Sequence, residues 1–179
     1  WRPRARKTGL EETVFYSEVN TFVSMQAGVV DLTSLVRYQI AQGEIKELKV
    51  KIPAGMSVTS VTAPDLATWS FDPESHLLDA ILEKPRSDDF TLTVVAQIAC
   101  EGLPYSVTLG ALQVQNASRQ RGAIAIAAPD TIQVRVDNIK GLNPMNIEDF
   151  STGAVTMAMS DAARMRGAIG IRRAFRYNQ

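Results

Sequence analysis

Two arginines and a glycine, repeated, are the ingredients of an anion-binding loop. Residues 119–126 read RQRGAIAI and residues 164–171 read RMRGAIGI, identical at six of eight positions and 45 residues apart. A phosphate loop aims several consecutive backbone N–H groups at the anion, from a glycine-rich turn that runs into a helix N-terminus. Here one glycine opens a strand in which Ile alternates with Ala or Gly, so those N–H groups go into a ladder. Arginines at such a position extend their stems over apolar surface. The pattern is therefore read as a repeated strand start, with small outward-facing residues that let another strand or sheet lie close, and as two similar hairpins. Arg119 and Arg121 are kept as candidate contacts for a ligand or partner.

The other reactive residues are few. His76 is the single histidine, which excludes a multi-histidine metal site and leaves one base for a serine nucleophile. It follows Pro73-Glu74-Ser75, with Ser70 and Asp79 close by, but no G-x-S-x-G or similar elbow presents a serine to it. Cys100 is the single cysteine; it has no internal disulfide partner and falls in phase with the apolar side of its strand, where a thiol acts as a small hydrophobe. Asp88-Asp89, Glu148-Asp149 and Asp137-Asn138 carry oxygen ligands of the kind calcium takes, without the alternating spacing of a calcium loop. Turn acids facing water are the expectation. No catalytic residue, metal ligand or cofactor contact is assigned. Tyr16, Tyr38 and Trp69 raise the question of sugar stacking. Tyr38 lies on an apolar strand face and Trp69 shares a face with Phe71, so burial is the simpler reading for both. Tyr16 and Trp69 remain the candidate glycan contacts.

The elements that position these residues alternate with period two. Residues 28–41 set Val30, Leu32, Val36, Tyr38 and Ile40 against Asp31, Thr33, Arg37 and Gln39. Residues 45–52 set Leu48, Val50 and Ile52 against Glu47, Lys49 and Lys51. Residues 90–100 place Phe90, Leu92, Val94, Ala96, Ile98 and Cys100 on one side. Residues 132–137 place Ile132, Val134 and Val136 inward. In residues 13–25, Phe15, Val19, Val23 and Met25 oppose Val14, Tyr16 and Phe22. Shorter strands are expected at 56–62, 67–72 and 77–83, and a strand over 105–115 whose phase slips at Gly110. One wet face and one dry face is the antiparallel signature. Turns fall at Pro53-Ala54-Gly55, Ala63-Pro64-Asp65, Asp72-Pro73-Glu74, Lys84-Pro85-Arg86, Gly102-Leu103-Pro104 and Ala128-Pro129-Asp130. Helix is confined to one turn begun by Asn143-Pro144 and running through Phe150, and another over 161–166.

At 179 residues, 45% hydrophobic and 21% charged, the chain has the profile of an ordinary globular domain that can bury a sizeable core. No run approaches the length of a membrane-spanning helix, and direct membrane insertion is not expected. The sequence begins at Trp1 without a signal peptide, and is read as a processed chain or a piece of a longer one. The 19 basic and 19 acidic residues balance, but nine of the basic ones crowd residues 2–7 and 164–176, which leaves residues 8–163 at a net −9. Basic flanks around an acidic body do not build a nucleic-acid groove, so no nucleic-acid partner is expected.

VRYQIAQGEIKELKVKIPAGMSVTSV (36–61), then ATWSF (67–71), RQRGAIAI and finally RAFRY (173–177) resemble an internal segment of the very large, repetitive β-rich envelope proteins of some bacteria. The shared features are a Y-x-I strand, a glycine turn, an L-x-V-x-[IL]-P-x-G strand, a tryptophan strand and a [RQ]-x-G-x-[IV]-x-[IV] strand. The resemblance covers most of residues 12–177. It implies a non-catalytic scaffold on the periplasmic or cell-surface side, supplies no active-site residues, and makes Ala174 to Tyr177 the first strand of a following unit.

The expectation is an all-β chain: an antiparallel β-sandwich of roughly seven to nine strands, with a second, smaller β layer at its end as a variant. Residues 1–11 form a basic arm, 12–101 the sandwich domain, and 102–179 the echoed hairpins, extending the sheets or building the second layer. The leading role is a structural or interaction module that meets neighbouring domains or another protein through an exposed strand edge or the apolar residues 13–24. A carbohydrate-binding module using Tyr16 and Trp69 is the alternative, and a hydrolase with His76 as base the third.

Overall fold

Strands form where the alternation is cleanest. A computed structural model describes residues 13–26, 28–100, 105–107, 109–129, 132–136, 139–149 and 169–178. They make two sheets packed as an all-β sandwich. The strands are β1 (Val14–Gln26), β2 (Val29–Gln42), β3 (Ile45–Lys51), β4 (Ser57–Thr62), β5 (Leu66–Asp72), β6 (Leu77–Arg86), β7 (Phe90–Ala99), β8 (Gln113–Val114), β9 (Arg119–Pro129), β10 (Asn143–Pro144) and β11 (Ile169–Asn178). The larger sheet runs β10-β11-β9-β1-β2-β7-β4 and the smaller β5-β6-β3-β8.

The chain passes between sheets at five short connections, β2 to β3, β3 to β4, β4 to β5, β6 to β7 and β8 to β9. Glycine is required at the first. Gly43 has φ +83°, and a Cβ there would lie 2.9 Å from Thr13 Oγ1. The alternating side chains named above meet between the layers. Val19, Val23, Val30, Val36, Leu78, Leu82 and Leu92 are fully buried there, and Tyr38 is stacked between Phe15 and Phe90, with ring centroids 5.5 and 4.9 Å apart. Burial holds the Tyr38 hydroxyl well above the ordinary phenol range.

Two hydroxyls also sit on this dry face. Thr21 and Ser34 oppose each other in the β1–β2 register, and their oxygens are 2.9 Å apart. Removing one partner strands the other in an apolar interior, whereas replacing both removes the need for either. Thr21→Val alone is expected to cost about 1–3 kcal/mol, and the Thr21→Val/Ser34→Ala pair distinctly less than the sum of the single changes. Urea denaturation of the four proteins of that cycle checks it; additive costs would mean that the hydroxyls do not depend on each other.

Among the described strands every junction is antiparallel but one: β1 and β9 run parallel, Tyr16 beside Arg119 through Ser24 beside Ala127. Parallel neighbours are characteristically covered on both faces. Here Thr21 to Ser24 and Ala123 to Ala128 are buried without interruption. On the outward side Phe22 packs with Ala123, Ala125 and Ala127 as a second apolar cluster, joined by Leu35, Met145 and Ile171. The small alanines allow that close approach.

Several expectations are corrected. Residues 132–136 keep their alternating burial but join no ladder; alternation reports an extended chain lying on an apolar surface, not the presence of a partner strand. Of the described residues between 105 and 115 only Gln113–Val114 form a strand, which pairs with β3. The first copy of the echo therefore forms no hairpin: β8 and β9 belong to different sheets, and β9 lies between β1 and β11. Residues 164–168 of the second copy, the turn at 102–104 and the helical turn at 161–166 lie outside the described residues. Lys84-Pro85-Arg86 is no turn, because β6 continues to Arg86. The β3–β6 register shifts between Ile45 and Glu47, and such an irregularity is where a strand tolerates proline. Asn143-Pro144 pairs with Arg176 and Phe175 at a sheet edge, and a 3-10 turn comes later, at Ile147–Asp149. Ala174 to Tyr177 does not start another unit; it pairs with Ala125 to Gly122 inside this sheet.

Candidate functional site

The period of two sends the arginines of RQRG to one side of β9 and the glutamine between them to the other. Arg119 and Arg121 emerge on the outer face of the larger sheet, in register with Tyr16 and Glu18 of β1. Continuing across the sheet, Tyr16 faces Gln39 and Glu18 faces Arg37. Tyr16 is 41% exposed. Arg121 Nε lies 3.4 Å from Glu18 Oε2, and Arg37 lies 3.8 Å from Asp89. Their side chains are between about a third and two-thirds exposed, a setting in which an ion pair contributes about 0–1 kcal/mol. The backbone N–H groups of β9 serve ladders on both sides, so nothing here cradles a phosphate. Tyr16, Arg119 and Arg121 form one solvent-facing patch.

Trp69 is not part of it. It lies in β5 of the smaller sheet, opposite the buried Ala80, and packs half-buried against the main core with Phe71. Tyr16 and Trp69 thus belong to different sheets.

His76 adopts a left-handed backbone (φ 58°) at the β5–β6 turn, where its carbonyl accepts a hydrogen bond from Ile52 N at 2.8 Å. Its Nδ1 and Asp79 Oδ1 are buried without a hydrogen-bond partner among the described residues, and no hydrogen bond joins the imidazole to Ser70, Ser75 or Asp79. Asp72 shapes the same turn. It accepts from Glu74 N at 2.9 Å and Ser75 Oγ at 3.0 Å, and these bonds, the backbone one foremost, hold its carboxyl below the ordinary range. With a depressed folded-state pKa, its contribution is present above the unfolded-state value and fades as pH falls through the folded one.

The remaining acids also serve turns. Arg86 reaches Asp65 at 2.8 Å and Asp88 at 3.1 Å, and Asp89 accepts from Ile40 N at 3.2 Å. Glu148 is exposed. No group of three His, Cys, Asp or Glu residues is placed to hold a metal among the described residues. Cys100 is half-buried at the end of its face, its Sγ 3.7 Å from Ile98 O.

Gln120, between the two arginines, makes more specific contacts than either, and nothing in its residue type announces this. It is buried, and its amide accepts from Val114 N at 2.8 Å and donates to Leu112 O at 2.6 Å and to Tyr177 Oη at 3.1 Å. One side chain of the larger sheet thereby continues the backbone pairing at the edge of the smaller. Tyr177 lies across Gly122.

Among the described strands the larger sheet ends at the two-residue β10 and at β4, and the smaller at the two-residue β8 and at β5, so β4 and β5 are the long edge strands. They are consecutive in sequence. No charged side chain or proline occurs in β4, nor from Leu66 to Phe71 in β5. Each is bulged once, between Val58 and Ser60 and between Leu66 and Thr68.

No family model matches the chain, and no curated protein matches it. The fold has solved counterparts. A mutant M1 zinc metallopeptidase from Deinococcus radiodurans, bound to a tripeptide substrate, is similar over 93% of this chain with TM-score 0.52 and 9% identity. Structures of a two-domain M1 zinc metallopeptidase mutant with L-tryptophan and with L-arginine are similar at TM-scores 0.52 and 0.51 and 8% identity. The chain spans 39% of the length of each of these. At such identity the likeness is one of fold.

Proposed function

We propose that this chain is a non-catalytic structural and interaction module of a larger bacterial envelope protein, on the periplasmic or outer side, and that it docks neighbouring domains or another protein through its open strand edges. The observation that carries the reading is the uncharged stretch Leu66 to Phe71 on the edge strand β5. Edge strands are usually guarded by charge, proline or irregularity, because unpaired backbone groups recruit other strands. The bulge of β5 lies at its start, and Thr68 to Asp72 then run in unbroken register with β6. An extended segment adds to such an edge through main-chain hydrogen bonds. The envelope location is supported by the motif order from 36 to 177.

A photo-crosslinking residue at position 68, in cells making the intact parent protein, is expected to capture one defined polypeptide or one defined stretch of the parent. The same probe at Thr91, exposed on β7, which has a strand on either side in the larger sheet, is expected to capture none. Ser70→Lys, which puts a charge on the edge, should abolish capture while circular dichroism stays unchanged. Equal capture at both positions, or capture that survives Ser70→Lys, defeats the reading.

A carbohydrate-binding module is the second reading, favoured by the exposed Tyr16 ring between Gln39 and Arg119. Glycan-array binding that Tyr16→Ala removes with the fold intact would support it. Loss in Trp69→Ala as well would extend the contact to the second sheet, and no binding to any glycan would end it.

A further inference from the structure

An inward side chain at the edge of a sheet has a neighbouring strand on one side alone. Trp69 and Phe71 of β5 are accordingly half-buried, while Ala80 and Leu78, opposite them on β6, are fully buried. A strand added to β5 would lay its own inward side chains beside these two rings. Those positions call for apolar residues, which leave water together with the rings.

The outward side asks for the opposite. Residues 65–86 carry five carboxylates, Asp65, Asp72, Glu74, Asp79 and Glu83, against two cations, Lys84 and Arg86. Arg86 is engaged by Asp65 at 2.8 Å and Asp88 at 3.1 Å, so the surroundings of β5 and β6 stay acidic. Asp79 carries the argument furthest. It stands on the outward side of β6, opposite Ser70 of β5, and one of its carboxylate oxygens is buried without a hydrogen-bond partner among the described residues. Its register neighbour on the other side, Lys49 of β3, pairs with Glu47 at 3.9 Å instead. A residue added opposite Ser70 lies two strand spacings from Asp79, about 10 Å. Only the small serine side chain stands between, and an arginine can lay its stem over it and set its guanidinium fork on the carboxylate.

We propose that the β5 edge takes an extended polypeptide segment in which apolar residues alternate with basic ones, the apolar side chains covering Trp69 and Phe71 and an arginine reaching Asp79 across Ser70. The inference rests on strand docking at β5 and adds the chemistry of the partner.

The probe is a short end-capped peptide alternating arginine with valine. Two others are compared with it: one with glutamate for arginine, and one N-methylated so that its backbone cannot join a ladder. Each is titrated by calorimetry into the full chain carrying Trp1→Phe, which leaves Trp69 as the only tryptophan. One arginine–valine peptide per chain is expected, moving Trp69 emission to shorter wavelength and slowing amide exchange over Thr68 to Asp72. The other two peptides should not bind. Asp79→Asn should weaken the arginine–valine peptide about tenfold, the loss of one charge-assisted contact, with the Trp69 shift at saturation unchanged. If that variant fails to fold, the three peptides on the Trp1→Phe chain decide alone. No binding of the arginine–valine peptide, or equal binding of either other peptide, overturns the proposal. Failure of strand docking itself reads out separately, as lost capture at position 68. A captured segment that lacks basic residues in alternation overturns the partner chemistry and leaves docking standing.

Discussion

Gly122→Ala is expected to destabilise the protein by about 3 kcal/mol or more, beyond the usual range for overpacking. Gly122 lies mid-strand, where glycine ordinarily weakens a sheet, so its presence calls for a reason. β1 supplies it on one side: an added Cβ would overlap the carbonyl oxygen of Val19, which is backbone and cannot swing away. β11 supplies it on the other, because Oη and Cζ of Tyr177 would lie 2.7 and 2.8 Å from that Cβ. The two obstructions can be separated. In a Tyr177→Ala background the ring is gone and the carbonyl remains, so Gly122→Ala should still be harmful but less so. Equilibrium urea denaturation of the four proteins measures both terms. An alanine tolerated to within 1 kcal/mol would mean that β9 does not lie between β1 and β11 as described.

The glycine also shows how the RQRG pattern was legible and where it stopped being so. Its strand character follows from Ile124 and Ile126 alternating with alanine, and those alanines pack with Phe22 of the neighbouring β1. The phase of each long strand was readable because one methylene-rich face must leave water and the other need not. What alternation does not carry is the identity of the neighbour. Period two is the same beside a parallel or an antiparallel partner, and the clue to the parallel β1–β9 junction was instead the loss of alternation in AIAIAA and in Thr21 to Ser24, where both faces are buried. Residues 132–136 show the converse error, with alternation and no ladder at all. Pro85 and Pro144 misled for a related reason. Each is compatible with a turn or a helix start locally, and each sits in a strand because an irregular register or an edge excuses the missing N–H. For the candidate contacts, sequence spacing already favoured burial for Trp69 through its shared face with Phe71, and what it did not carry is the assignment of Tyr16 and Trp69 to separate sheets. The M1 peptidase structures, at 8–9% identity, make the same point from outside. A comparable sandwich arises from almost wholly different side chains, so the strand pattern speaks to architecture, and function has to be argued from sites.

Gln120→Leu is the second large effect, with an expected cost of about 3 kcal/mol or more. The figure comes from counting stranded partners, each buried orphan costing about 1–3 kcal/mol: Val114 N–H loses its acceptor, while Leu112 C=O and Tyr177 Oη lose their donor. Leucine matches glutamine closely in volume, so the loss reports hydrogen bonding rather than a hole. Gln120→Glu sharpens the test through its pH dependence. The introduced carboxyl keeps an acceptor for Val114 N–H, but in its ionised form it presents a second oxygen to the Leu112 carbonyl, and burial raises its pKa in the fold. Protonated, it can donate there as the amide did. A folded-state pKa above the unfolded one means stability that is present at low pH and lost as pH rises through the folded value. The variant should therefore lie closest to the parent protein near pH 4 and furthest from it at neutral pH, with Gln120→Leu showing no such relative trend. Thermal melts of the three proteins across that range would read it directly. Parallel pH profiles for all three would mean that the glutamine does not join the two sheets, and that β8 is held by its ladder with β3 and by packing.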